Sequence, residues 1–160
     1  MFRKALRAGL GLLVAFLAYS FLGGLGPAAL VILNAFSLVV VLFSTGNDEI
    51  FGAVLGALCG LVQDSFSLGV FGVAGLSKTL LGFWTGYISR RVDVTSFFRN
   101  AAFLLVMASG ELVIWVAMNS VALQERPNVQ GGLLLLQPIV TALLASALLA
   151  LRRRIAARRS

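Results

Sequence analysis

The chain has 160 residues, of which 59% are hydrophobic and 12% charged, with 17 glycines, one cysteine and no histidine. A soluble domain is about 25% charged, and a domain of this size cannot hide so much apolar surface inside itself. The mean hydropathy of +0.98 makes lipid the solvent for most of the chain, and the missing histidine removes the commonest general base and metal ligand.

A membrane-spanning helix needs about 20 mostly apolar residues. In chain order the sequence predicts six spans, at 8–22, 27–43, 50–64, 70–89, 103–118 and 132–151. The expected fold is therefore a single all-α domain, a six-helix transmembrane bundle. The apolar stretch 50–89 is too long for one helix. The small and polar run Ser65-Phe66-Ser67-Leu68-Gly69 marks its turn. The most polar connection is Gln124-Glu125-Arg126-Pro127-Asn128, between the fifth and sixth spans.

The net charge of +7 does not point to nucleic acid, because five of the thirteen basic residues lie in the last nine positions and three in the first seven. Such ends suit an anionic membrane surface. With six spans, eleven basic residues (Arg3, Lys4, Arg7, Arg90, Arg91, Arg99, Arg152, Arg153, Arg154, Arg158 and Arg159) fall on one side and Arg126 on the other. Basic residues stay inside, so both termini are predicted to be cytoplasmic. A competing reading makes the first span a signal peptide cleaved near Ala28 or Ala29.

Three ionisable residues, Asp64, Lys78 and Glu111, fall inside spans, where each is costly unless paired or solvated. At about 1.5 Å per helical residue, each lies roughly 18 to 21 Å from the cytoplasmic face. Gln63, Gln137 and Asn34 come out near the same layer. Gly52, Gly56, Gly60 and Asp64 recur every four residues, as do Ala74, Lys78, Gly82 and Gly86. Small residues at this interval let membrane helices approach closely. Facing the two stripes within one hairpin predicts an Asp64–Lys78 pair, with Glu111 closing the cluster or facing a partner. Such a cluster serves as a structural staple or, less often, as a substrate or ion site.

Other residues have plainer readings. Gln137-Pro138 is expected to kink its helix. Trp84, Tyr87 and Trp115 read as interfacial anchors or packing rings, and Cys59 as an inert buried thiol. Nothing resembles a phosphate loop, a zinc ligand set or a base-activated nucleophile. No catalytic, cofactor or metal site is expected, and the chain is not expected to be an enzyme.

The segments Gly60-Leu61-Val62-Gln63-Asp64, Leu68-Gly69, Lys78-Thr79-Leu80-Leu81-Gly82 and Arg90-Arg91, in this order, resemble the rod shape-determining protein MreD family. So do Gly110-Glu111-Leu112 and the ending Gln137-Pro138-Ile139-Val140-Thr141 before an arginine tail. The likeness covers most of the chain after about residue 30. It departs at the second span, which in the family often opens with Pro-Asp; this chain has no acid before Asp48, and Asn34 is the nearest polar substitute.

The resemblance implies a multi-pass protein of the bacterial inner (cytoplasmic) membrane, a scaffold for cell elongation. Its implied partners are MreC, MreB filaments and the peptidoglycan transglycosylase/transpeptidase complex, with anionic lipids at the arginine-rich tail. The family is also similar in structure to the six-helix substrate-binding components of energy-coupling-factor vitamin transporters. That leaves a second possibility, in which Asp64, Lys78, Glu111 and Gln137 would wall a ligand pocket.

Overall fold

The structure, a computed structural model, describes residues 2–66, 70–92, 96–123 and 130–158. Among them the regular elements are helical: α1 (Phe2–Leu25), α2 (Pro27–Ile32), α3 (Ala35–Ser44), α4 (Glu49–Phe66), α5 (Val73–Ser89), α6 (Phe97–Leu123), a 3-10 turn (Gln130–Leu135) and α7 (Leu136–Ala157). Four stretches are long and apolar enough to cross a membrane: Leu6–Gly24, Glu49–Phe66, Phe97–Ala122 and Gly132–Ala157. The polar 124–128 segment lies outside the described residues, as do 67–69 of the predicted turn.

The second predicted span is not one helix. Gly26, at φ 115°, and Pro27 at the first helical position start α2, which ends after six residues. Leu33 and Asn34 are then extended, and the Asn34 side chain accepts a hydrogen bond from the Ser37 N–H at 3.2 Å. An asparagine that caps a new helix competes with continuation of the old one. The chain therefore breaks at Leu33–Asn34 instead of running straight from 27 to 43.

Helix α3 lies deepest. Ala35, Phe36, Ser37, Val39, Val40, Val41 and Ser44 are all buried. Around it the core joins Ala15 of α1, Leu55 and Cys59 of α4, Leu81 of α5, Leu104 of α6, and Ala145 and Leu149 of α7. Tyr19 of α1 sets its ring 5.5 Å from Phe36 and 5.9 Å from Phe66, tying the peripheral first helix to α3 and α4. Large apolar side chains remain on the outside, among them Phe21, Val106 and Val113. Such a surface is costly in water and costs nothing against a lipid phase.

Helices α4 and α5 form the tightest contact. A Cβ added at Gly52, Gly56 or Gly60 would run into the backbone carbonyl of Gly82, Lys78 or Ala74, respectively. At the other end of the hairpin, a Cβ on Gly86 would sit 3.0 Å from the Glu49 Cα. Only glycine allows two helix backbones to come this close, and the gain is dispersion contact along the whole seam.

Pro138 lies in the first turn of α7, directly after the 3-10 turn. There the missing N–H costs nothing, because the first four N–H groups of a helix have no intrahelical acceptor. The expected mid-helix kink at Gln137-Pro138 is thus a helix start. Beyond residue 151, α7 continues to Ala157, so Arg152, Arg153 and Arg154 extend the helix.

Candidate functional site: a polar cavity around the Lys78–Glu111 pair

Lys78 is 1% exposed and Glu111 7% exposed. The Lys78 Nζ lies 2.6 Å from Glu111 Oε1, and the Ser37 Oγ donates to the same oxygen at 2.7 Å. Three helices meet at this carboxylate. α5 brings the ammonium, α6 the acid, and the first turn of α3 the hydroxyl. The position of Ser37 follows from the break at Asn34, which starts α3 at this depth. Burying two charges is costly, and it is offset only when the pair has good geometry and further hydrogen bonds; Ser37 supplies one.

Asp64 does a different job from the one its spacing suggests. Its Oδ2 accepts from the backbone N–H groups of Gly72 at 2.9 Å and Gly75 at 3.0 Å, and Oδ1 accepts from Ala74 at 3.2 Å. Gly72, the residue before α5, has a left-handed backbone and no side chain with which to cap the helix. The carboxylate at the end of α4 satisfies those N–H groups instead, and its charge suits the positive end of the helix dipole. The expected Asp64–Lys78 pairing therefore gives way to two arrangements, Lys78 with Glu111 and Asp64 with the start of α5. A stripe of residues shows which face they share but not how far each side chain reaches; Glu111, expected to close the cluster or face a partner, is the residue that pairs with Lys78.

Beside the ion pair lies a cavity of about 180 Å³. Its polar walls are Asn34, Gln63, Lys78, Glu111 and Gln137, and its apolar walls include Leu30, Val31, Leu112, Trp115 and Leu134. The polar layer expected from depth alone is thus gathered around one space, except for Asp64, which does not line it. Gln63 Oε1 is buried without a hydrogen-bond partner in the protein. Trp115, expected as an anchor or packing ring, forms part of the wall. Trp84 and Tyr87 stay with Phe83 in a separate ring cluster, with the Arg91 guanidinium 3.9 Å above the Tyr87 ring.

Sequence reasoning missed Ser37. A serine in an apolar helix is unremarkable, and the signal that could have found it is Asn34 three residues before, the spacing of an N-cap to its N3 residue. Other buried polar atoms without protein partners are Ser44 Oγ, Thr85 Oγ1, Asn100 Oδ1, Thr141 Oγ1 and Ser146 Oγ.

No family model matches the chain, and neither a curated protein nor a solved structure is found to be similar to it.

The arrangement offers an ammonium, a carboxylate and three amides, all suited to holding something in place by hydrogen bonds. The one cysteine, Cys59, is fully buried in the core. Among the described residues no three of the side chains Cys, Asp and Glu come together as a metal ligand set.

Proposed function

We propose that this protein is a non-catalytic, multi-pass membrane adaptor of the bacterial cell-elongation machinery, linking MreC and the peptidoglycan synthases to MreB filaments. It resides in the inner membrane and crosses it six times, α2 and α3 together making the second crossing, with both termini cytoplasmic. The observation that carries this reading is the use made of the family-like residues. Asp64 caps a helix, Lys78 neutralises Glu111, and the glycines close the α4–α5 seam. The motif thereby holds the bundle together and leaves the lateral apolar faces and short loops for partners.

The cavity is the observation that favours a second reading, a substrate-binding component of a vitamin transporter. Its size weighs against that. At about 180 Å³ it is smaller than the roughly 300–1,000 Å³ of ordinary small-molecule sites. Native mass spectrometry of the detergent-purified protein separates the two, because a vitamin binder takes up a stoichiometric ligand.

The adaptor reading is tested by depletion in a rod-shaped host without a paralogue. Cells should round up, and MreC should co-purify with the tagged protein. Normal rods after clean deletion would overturn it. Orientation is tested separately in a Cys59→Ser background. Arg90→Cys should react with impermeant maleimide from the cytoplasmic side, and Val121→Cys, on the 81% exposed residue near the end of α6, from the outer side.

A further inference from the structure

Two adjoining clefts lie where α1 begins and α7 ends. One, of about 370 Å³, is walled by the apolar Leu42, Phe43, Leu148 and Leu149. The other, of about 400 Å³, opens around Thr45, Gly46, Ser89 and Arg153. Arg7, Asn47, Leu149 and Arg152 line both and so stand at their junction. Arg7 and Arg152 come from opposite ends of the chain and are brought to one place by α1 and α7 flanking α3. The acids that follow in sequence do not line either cleft, and Glu49 is held by Arg90 at 3.2 Å. The Asn47 side-chain amide donates one N–H to the Phe43 carbonyl at 2.6 Å, which leaves it a second.

A pair of cationic forks beside an apolar channel, at the end of a membrane bundle, has the chemistry of a phospholipid site. Guanidinium groups bind phosphate oxygens in planar, charge-assisted pairs. An apolar cleft lined by the same two arginines suits an acyl chain, and basic segments beside a membrane are drawn to an anionic leaflet. We propose that this junction binds one anionic phospholipid, its phosphodiester held between Arg7 and Arg152 and an acyl chain lying along Leu42, Phe43, Leu148 and Leu149. The site distinguishes these two arginines from the solvated tail, where Arg154 and Arg158 line neither cleft. The proposal rests on the chain being embedded in a membrane and is independent of any role in cell elongation.

The test uses the full-length protein in vesicles of phosphatidylcholine and phosphatidylglycerol, released into detergent and weighed by native mass spectrometry. One phosphatidylglycerol per chain should be retained in preference to phosphatidylcholine. Arg7→Gln/Arg152→Gln should cut that retention by about tenfold or more, while Arg154→Gln/Arg158→Gln, which removes the same charge, should leave it unchanged. Equal loss in both double variants would mean diffuse attraction to the surface, and it overturns the proposal. Displacement of the lipid by inorganic phosphate alone would show an anion site without an acyl groove and overturns it equally. Should the first variant fail to fold, a photoactivatable phosphatidylglycerol on the unaltered protein decides the matter. Crosslinks at Leu42, Phe43 or Leu148 support the site, and crosslinks confined to residues 154–160 refute it.

Discussion

Lys78 and Glu111 are separated by 33 residues in the chain and by 2.6 Å in space, and the same carboxylate oxygen takes a hydrogen bond from Ser37. The pair joins the α4–α5 hairpin to α6, and Ser37 ties both to the broken second span. Both side chains are buried, so removing either one leaves the other without its closest partner of opposite charge.

Breaking that pair from one side should be severe. Lys78→Met leaves a buried carboxylate and Glu111→Leu a buried ammonium, each costing about 3–5 kcal/mol. The double variant should recover a large part of the loss, and Ser37→Ala alone should cost about 1.5–3 kcal/mol, the range for a hydrogen bond to a charged group. The chain's single cysteine provides the readout, because Cys59 is fully buried and reacts with maleimide only on opening. Additive losses in the double variant would show that the two residues act separately.

Asp64 should behave as a helix cap. Asp64→Ala removes the acceptor for three backbone N–H groups and should cost at least the 0.5–2 kcal/mol of an ordinary cap, roughly. Asp64→Asn keeps one acceptor oxygen and should retain part of that stability. The comparison is read from thermal unfolding in detergent, with hydrogen exchange at residues 72–75 localising the effect.

Two glycines in the spans should respond in opposite ways to one methyl group. Gly56→Ala drives a Cβ into the Lys78 carbonyl, whereas a Cβ at Gly110 meets nothing within 4 Å. Gly56→Ala should therefore separate α4 from α5 and cost at least the roughly 1–3 kcal/mol of an overpacked core. Gly110→Ala should be neutral, or stabilising by up to about 1 kcal/mol through helix propensity. Resistance to unfolding in sodium dodecyl sulfate ranks the two variants against the parent.

The break in the second span should depend on Asn34. Asn34→Ala removes the acceptor for the Ser37 N–H and should cost about 0.5–2 kcal/mol, with Asn34→Ser recovering most of it. Because Ser37 also holds Glu111, the loss should be smaller when Ser37→Ala is already present. A double-mutant cycle on the same Cys59 labelling assay measures that coupling.

The sequence by itself indicated helices apolar enough to cross a membrane and a shared level for its polar residues along them. Hydropathy is a sum over neighbours along the chain, so the apolar stretches were legible before any folding was considered. The period of four along Gly52, Gly56 and Gly60 likewise placed three small residues on one face of one helix. Depth along a helix is a matter of counting, and it placed Asn34, Gln63, Lys78, Glu111 and Gln137 in a layer that the structure gathers around one cavity. Which of them touch was decided by tertiary structure alone. Asp64 reaches the start of α5 because Gly72 cannot cap it. Lys78 meets Glu111 because α6 packs against α5 on that side, and Ser37 joins them because the chain breaks at Asn34. Arg7 and Arg152 share a cleft only once the helices at the two ends of the chain flank α3. Pairing depends on where helices lie relative to one another, and that is settled by packing among segments far apart in sequence, which no local pattern records.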